Sequence, residues 1–291
     1  MTRIIDIVGL HFRYPGAPSD ALAGLDLRVD EGEFLAVVGA NGSGKSTLAR
    51  LLGGLAKPSG GHEARVAGHD LLTDQGRRSA RRAVGVLFQN PENQLVAEHV
   101  EEDIAFGLEN LATPAPEIRA RVDQMLERFQ LTDLRRRQPH LLSGGQQQRT
   151  ALAGVLAIPR RLLVLDEPTA MLDPAGRDEV LAAVARERAD GLAVVYITQE
   201  MDEVLSADRV VALDGGAVAF DGTPTELFAE VALIRRLSLG LPAAAGVALS
   251  LIEGGKRLES LPLTLDDLVD ALLGADGTQL DLGALLGGDQ P

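Results

Sequence analysis

The chain contains no cysteine. Disulfides, cysteine-bound zinc and thiol nucleophiles are therefore excluded, and the absence accords with a reducing cytosol. Positive charge is also scarce. Lys and Arg number 28 against 42 Asp and Glu, a formal net charge of −14. A surface of that sign repels a phosphate backbone, which argues against nucleic acid as a partner. No long apolar run is present either. The longest uncharged stretch toward the C-terminus, Leu237 to Ile252, is interrupted by Gly240 and Pro242. It falls short of the roughly 20 apolar residues needed to span a bilayer. The opening MTRIIDIVGLHFRYP has no extended apolar core and carries charge early, unlike a secretory signal. No internal repeat is found. Any membrane role is expected to come through a partner.

What remains is the material of a globular protein. The 291 residues are 45% hydrophobic, within the globular range of about 45–50%, so a core can be buried. At roughly 150 residues per domain the length suits one large domain or two smaller ones. The first thirty-odd residues alternate apolar and polar around the turn signal Tyr14-Pro15-Gly16 and predict short antiparallel strands. Apolar runs at Phe34–Val38, Val84–Phe88, Arg161–Leu165 and Ala193–Thr198 predict buried strands. Helical patterns at Leu48–Leu55, Glu98–Arg137 and Asp178–Ala189 fall between them. Asp214-Gly215-Gly216 between Val210–Leu213 and Ala217–Phe220 predicts a hairpin. Strands alternating with helices imply an α/β core with a parallel sheet.

Three motifs carry chemistry. Gly39-Ala40-Asn41-Gly42-Ser43-Gly44-Lys45-Ser46-Thr47 matches the phosphate-binding loop G-x-x-x-x-G-K-[ST] between a strand and a helix. Its glycines let backbone N–H groups curl around phosphate oxygens, and the helix N-terminus adds partial positive charge. Lys45 is expected at the β- and γ-phosphates and Ser46 on Mg²⁺. Leu162-Leu163-Val164-Leu165-Asp166-Glu167 is an apolar strand delivering Asp166 as a second Mg²⁺ ligand. Glu167 is placed to polarise the attacking water as general base. Leu142-Ser143-Gly144-Gly145-Gln146, followed by Gln147-Gln148-Arg149, sets a serine and two glycines before a helix, a second anion cradle.

The LSGGQ sequence at 142–146 resembles the signature of the ABC ATPases. The resemblance covers about residues 4 to 228. It implies a P-loop NTPase fold with an antiparallel β subdomain and a helical signature subdomain at about 92–150. Residues 1–230 would form the nucleotide-binding domain and 231–291 a small acidic helical appendage that helps dimerise the ATPases. It implies that Tyr14 stacks on adenine and that Gln89 touches Mg²⁺ and the attacking water. Asp173, in Met171-Leu172-Asp173, would cross a dimer interface. Asp173 before Pro174 also suits a helix N-cap, and the two readings are compatible. In such ATPases two domains sandwich two ATP molecules, with Ser143, Gly144, Gly145 and Gln146 of one copy facing the phosphate loop of the other. ATP and Mg²⁺ are the implied cofactors. A second ATPase subunit, identical or homologous, is an implied partner.

The text from Phe88 to Leu95, with Val100-Glu101-Glu102-Asp103-Ile104-Ala105-Phe106-Gly107, is similar to the energy-coupling factor (ECF) importer ATPases. The Gly240-Leu241-Pro242 tail and the Leu-rich run from Leu263 are similar to them as well. That likeness implies uptake of a vitamin or metal ion through a transmembrane coupling protein and a solute-binding membrane protein. The chain would sit peripherally at the cytoplasmic face of the membrane, with the acidic segment near the coupling protein. A solvated helix face is the other reading of Glu98 to Asp103. Arg77, Arg78, Arg81 and Arg82 are expected to be a solvated, ion-paired helix face rather than a lipid or partner contact. An ATPase of a non-ECF importer is the alternative function. An ABC protein acting on nucleic acid or ribosomes is disfavoured by the acidic balance and the short span from Gln89 to Ser143.

One position departs from the family. The usual histidine after the fourth strand is Gln199, in Thr198-Gln199. Glutamine donates a hydrogen bond but cannot carry charge as imidazole can. The site is either slowed, or Gln199 substitutes adequately because Glu167 supplies the base. The second reading is preferred.

Overall fold

The computed structural model of the chain describes residues 2–254, 258 and 260–274. Its strands are β1 (Arg3–Phe12), β2 (Leu22–Asp30), β3 (Phe34–Val38), β4 (Glu63–Val66), β5 (His69–Asp70), β6 (Val84–Leu87), β7 (Leu162–Asp166), β8 (Ala193–Ile197), β9 (Arg209–Asp214) and β10 (Ala217–Gly222). The helices used below are α1 (Lys45–Leu52), α2 (Asp74–Ala83), α3 (Val100–Asn110), α4 (Ala115–Arg128), α5 (Gly144–Leu156), α6 (Pro174–Ala189) and α7 (Met201–Val204). They continue with α8 (Pro224–Ala229), α9 (Val231–Arg236), α10 (Ala243–Glu253) and α11 (Leu265–Gly274).

Two sheets form. A four-stranded antiparallel sheet runs β2-β1-β4-β5, and a six-stranded sheet runs β10-β9-β3-β8-β7-β6. In the larger sheet β9, β3, β8, β7 and β6 are parallel, while β10 returns antiparallel beside β9. Every residue of β3, β7 and β8 is buried, which is why those strands read as continuous apolar runs. β1 pairs with both β2 and β4, and register shifts between β1 and β2 mark bulges in the smaller sheet. A first apolar cluster joins β1 and β2 to α1 and one face of β3. A second joins α3, α4 and α5 to the opposite face of β7 and β8.

Element boundaries move where caps decide them. The helix expected from Leu48 begins at Lys45, inside the glycine loop. The helix expected from Asp178 begins at Pro174, because the Asp173 carboxylate accepts the Gly176 N–H at 2.8 Å. The tail holds α10 packed on α11, with Ala244, Ala248 and Leu268 buried between them. Lys256, Arg257 and residues 275–291, part of the expected appendage, lie outside the described residues.

One expectation about charge is corrected, and a second charged segment proves mixed. The arginine run is not a uniformly solvated face. Arg77 is buried, bonded to the Leu71 carbonyl and paired with Asp74, and Arg81 donates to the Gly54 carbonyl. Arg81 thereby ties α2 to the turn that ends α1, and Arg77 ties it to the segment that leads into it. The acidic segment is likewise divided. Asp103 is buried, and its carboxylate accepts the Val96 and Ala97 N–H groups at 3.0 and 3.3 Å. Burial pushes its pKa up, and the two backbone bonds oppose that shift.

Asp103→Ala strands both N–H groups and is expected to cost about 1–3 kcal/mol of stability. Asp103→Asn, which retains an acceptor, is expected to lose less. Urea unfolding measures both, and an unchanged midpoint in the alanine variant would show that the loop at 96–97 does not rely on this carboxylate.

Candidate active site

The parallel register brings the expected residues to one edge of the large sheet. Val37 faces Ile197, Asp166 faces Ile197 from the other side, and Leu87 faces Leu165. The four strands therefore end level. Gly39, Glu167, Thr198 and Gln89 emerge together at their C-terminal ends, where open α/β sheets bind ligands.

The loop after β3 turns through positive φ at Gly39 (150°), Gly42 (82°) and Gly44 (109°). At Gly44 an added Cβ would lie 2.7 Å from the Ala21 carbonyl and from Leu22, and at Gly39 it would lie 2.5 Å from the Leu213 carbonyl. The β9–β10 hairpin closes this packing, since Gly216 N–H donates to the Ser43 carbonyl and Ala23 N–H donates to the Gly216 carbonyl. Helix α1 starts at Gly44 with no side-chain cap and no acidic residue in its first turn. Its leading N–H groups are left for an anion. Ser43 Oγ is buried with no hydrogen-bond partner among the described residues. Lys45, 6% exposed, donates from Nζ to the Gly39 and Ala40 carbonyls at 2.7 and 3.0 Å. Burial lowers its pKa, while the charges of Glu167 and Asp166 raise it. Thr47 Oγ1 lies 3.1 Å from the Tyr14 hydroxyl, which Arg50 also reaches at 3.3 Å. Tyr14 stands edge-on to Phe12, so its ring is fixed beside the loop.

Asp166 ends β7 and is 2% exposed. Burial pushes its carboxyl pKa up, and a hydrogen bond from Ser46 pulls it down. A buried carboxylate beside a hydroxyl is a hard oxygen pair suited to Mg²⁺. Among the described residues no group of three His, Cys, Asp or Glu side chains could hold a metal. A cation here would therefore rest on Asp166, Ser46, the Gln89 amide oxygen and phosphate oxygens.

Glu167 sits in a left-handed backbone conformation (φ 50°), which costs a non-glycine residue about 1–3 kcal/mol. The turn aims its carboxylate between two amides. Gln89 Nε2 donates to one oxygen at 2.6 Å and Gln199 Nε2 donates to the other at 2.6 Å. Gln199 Nε2 also lies 3.1 Å from Asn41 Oδ1 in the glycine loop. Gln94 holds the turn that carries Gln89, accepting the Phe88 N–H at 2.7 Å and donating to the Val86 carbonyl at 3.0 Å.

The signature segment stands apart. Ser143, Gly144, Gly145, Gln146 and Asp173 line a separate cavity of about 510 Å³ that no residue of 39–47 lines. A capping box there consumes donors expected to be free: Ser143 Oγ accepts the Gln146 N–H, and Gln146 Oε1 accepts the Ser143 N–H. The cradle is thereby narrowed to the N–H groups of Gly144 and Gly145. Sequence reasoning also missed Gln148, which donates to the Pro168 carbonyl at 2.9 Å, and the buried Glu203, 3% exposed. No spacing signal marks either.

A glycine loop feeding a helix with no side-chain cap, an Asp166-Glu167 pair at the tip of β7 with Asp166 buried, and a separate Ser143-Gly144-Gly145 cradle together define an ATP-binding cassette. The ABC transporter family model matches residues 22–170. The energy-coupling factor transporter ATP-binding protein EcfA1 of Symbiobacterium thermophilum is 54% identical over 87% of this chain and 88% of its own length. EcfA1 of Bacillus subtilis is 43% identical over 93% and 96%. Among solved structures, CbiO1 of Clostridium perfringens, part of the ABC transporter complex CbiONQ, superposes with a TM-score of 0.71 at 35% identity, covering 87% of this chain and all of that one. The chain belongs to the ABC transporter family as an ATP-hydrolysing subunit of the energy-coupling factor type.

Gln199→His is expected to leave turnover within about threefold at pH 8, where imidazole is neutral, and to add an acid limb near its ordinary pKa of about 6.5. Steady-state ATPase assays across pH measure this. A tenfold gain at pH 8 would show instead that glutamine impairs the site.

Proposed function

We propose that two copies of this cassette, or this chain and a homologue, close face to face around two ATP molecules. The carrying observation is the separation of the two half-sites within one chain. No residue of the phosphate loop lines the cavity that holds the Ser143–Gly145 cradle, so each half-site is completed only by another subunit. A dimeric bacterial ABC transporter cassette with a TM-score of 0.70 and 28% identity supports this reading. In the closed state Lys45 and the loop N–H groups hold the phosphates, and Ser46, Asp166 and Gln89 would hold Mg²⁺, which supplies charge neutralisation at the phosphates. Tyr14 stacks on the base. Glu167, oriented by Gln89 and Gln199, accepts a proton from the attacking water. Signature residues and Asp173 of the opposite subunit cover the nucleotide. ATP closes the pair by binding that state more tightly, and hydrolysis releases it.

The work is passed to membrane partners: a transmembrane coupling protein and a solute-binding membrane protein that import a vitamin or metal ion. Among the described residues no helix is long and apolar enough to cross a membrane, and the proposed contact with those partners is at the cytoplasmic face. An apolar groove of about 440 Å³ between the β6 edge and α3 and α5 suits that contact. Leu55 and Phe106 line it and are about half exposed (48% and 49%).

Glu167→Gln is expected to abolish hydrolysis, retain ATP binding and trap a dimer on size exclusion with Mg-ATP. Lys45→Ala is expected to prevent the same dimer. Normal turnover in the glutamine variant would remove Glu167 as the base, and a monomer with bound ATP would sink the sandwich. Phe106→Asp is expected to reduce recovery of membrane partners in a detergent pull-down while leaving ATP affinity unchanged. Full recovery would move the docking surface elsewhere.

A further inference from the structure

Outside the residues that face nucleotide, one buried carboxylate stands at a junction of loops. Glu203 lies on the short helix α7 and is 3% exposed. Its Oε1 accepts the Thr169 hydroxyl at 2.7 Å. Its Oε2 accepts the Thr198 hydroxyl at 2.8 Å and the Tyr196 hydroxyl at 3.1 Å. Arg177 Nε of α6 lies 3.6 Å from Oε1 with no hydrogen-bond partner among the described residues, while Nη1 of the same guanidinium reaches Glu200 at 3.5 Å. A buried carboxylate is expensive unless its lone pairs and charge are both met, and here three hydroxyls and one guanidinium meet them.

The partners are informative because of where they sit. Thr169 ends the Glu167-Pro168-Thr169 turn. Thr198 precedes Gln199, and its hydroxyl also accepts the Glu200 N–H at 2.9 Å, which sets the course of the chain leaving Gln199. Arg177 is in the first turn of α6, with its N–H bonded to the Asp173 carbonyl at 2.9 Å. One side chain therefore joins the Glu167 turn, the Gln199 turn and the helix that presents Asp173 to the second half-site.

We infer that Glu203 is a positioning residue for hydrolysis that fixes Gln199 against Glu167 and links both, through Arg177, to the Asp173 segment. It touches neither nucleotide nor water. It acts by holding three turns in one register, so a displacement of Asp173 at the subunit interface reaches the Glu167–Gln199 pair of the same chain. This rests on the assignment of Glu167 and Gln199 to the hydrolytic step.

The test uses the full chain in its assembled complex. Glu203→Gln keeps the volume nearly constant but replaces one of the two acceptor oxygens by a donor and removes the charge that meets Arg177. It is expected to lower kcat by about tenfold or more, since small misplacements at a reacting centre have that effect, while KM for ATP stays within about twofold. Thr198→Val, lacking the hydroxyl, should show the same split, and Thr198→Ser should restore wild-type kcat. In a Gln199→Ala background Glu203→Gln should cause little additional loss, because the group it positions is already gone. Wild-type kcat in both Glu203→Gln and Thr198→Val, or losses fully additive with Gln199→Ala, would overturn the inference. Should Glu203→Gln fail to fold, Thr198→Val against Thr198→Ser decides it. Glu167→Gln run in parallel separates the two levels. If that variant hydrolyses normally, the site assignment has failed. If it is inactive and the Glu203 and Thr198 variants are normal, only the positioning role has failed.

Discussion

A phosphate group can be held by backbone amides only where the backbone turns back on itself and no side chain fills the turn. That constraint governs this chain from Gly39 to Gly44. Positive φ at three glycines curls the loop, and carbonyls of Ala21 and Leu213 press so closely that a methyl group at Gly44 or Gly39 would collide with them. The β9–β10 hairpin and the start of β2 exist in part to supply that pressure. The two sheets meet here, and the small antiparallel sheet is thereby more than a cover for the core. It also carries Tyr14 on the turn after β1, fixed through Thr47 to the helix that the loop begins.

The electrostatics follow from the same geometry. An acidic protein of net charge −14 concentrates cationic character at one place by using partial charges rather than whole ones. The uncapped N-terminus of α1 contributes, and the buried Lys45 adds one full charge whose desolvation lowers its pKa. Opposite it, Asp166 is desolvated and its pKa rises. Each buried charge is poorly compensated by the protein alone, and a magnesium nucleotide supplies both signs at once. That match is a physical reason for tight coupling between phosphate and cation in this pocket.

Much of this was legible because it is local. The glycine loop is contiguous, and the buried strands β3, β7 and β8 announce themselves as apolar runs since both faces of the sheet are covered. The Asp214-Gly215-Gly216 hairpin follows from turn chemistry alone. What was not legible depends on which side chains the fold buries and which backbone groups it turns toward them. Nothing in the text around Arg77 says that Leu71 and Asp74 will enclose it, so a run of four arginines read as solvated. Asp103 sits in an acidic run indistinguishable from a surface, yet it holds the loop at Val96 and Ala97. Helix starts were misplaced by three or four residues because the glycine loop passes directly into α1 at Gly44 and the Asp173 carboxylate caps α6, and such local geometry overrides periodicity. The capping box at Ser143 and Gln146 was readable in principle from a serine three residues before a glutamine. Its consequence, fewer free donors in the cradle, was obscured by the motif's functional reading.

The bracket around Glu167 bears on how a site can dispense with a histidine. Two amides donate to one carboxylate, one oxygen each, and a third contact ties Gln199 to Asn41 of the glycine loop. An imidazole at position 199 would do the same geometric task but would titrate near neutrality. With glutamine the donor stays neutral and present at every physiological pH, and the orientation of Glu167 is uncoupled from proton concentration. The cost is that no second group can take up a proton during the step. As the proposed base, Glu167 would both receive the proton from water and remain aligned, which places a premium on the rigidity of the turns at 167–169 and 198–200. Those are the turns that converge on Glu203, so the substitution at 199 and the buried carboxylate behind it belong to one physical solution.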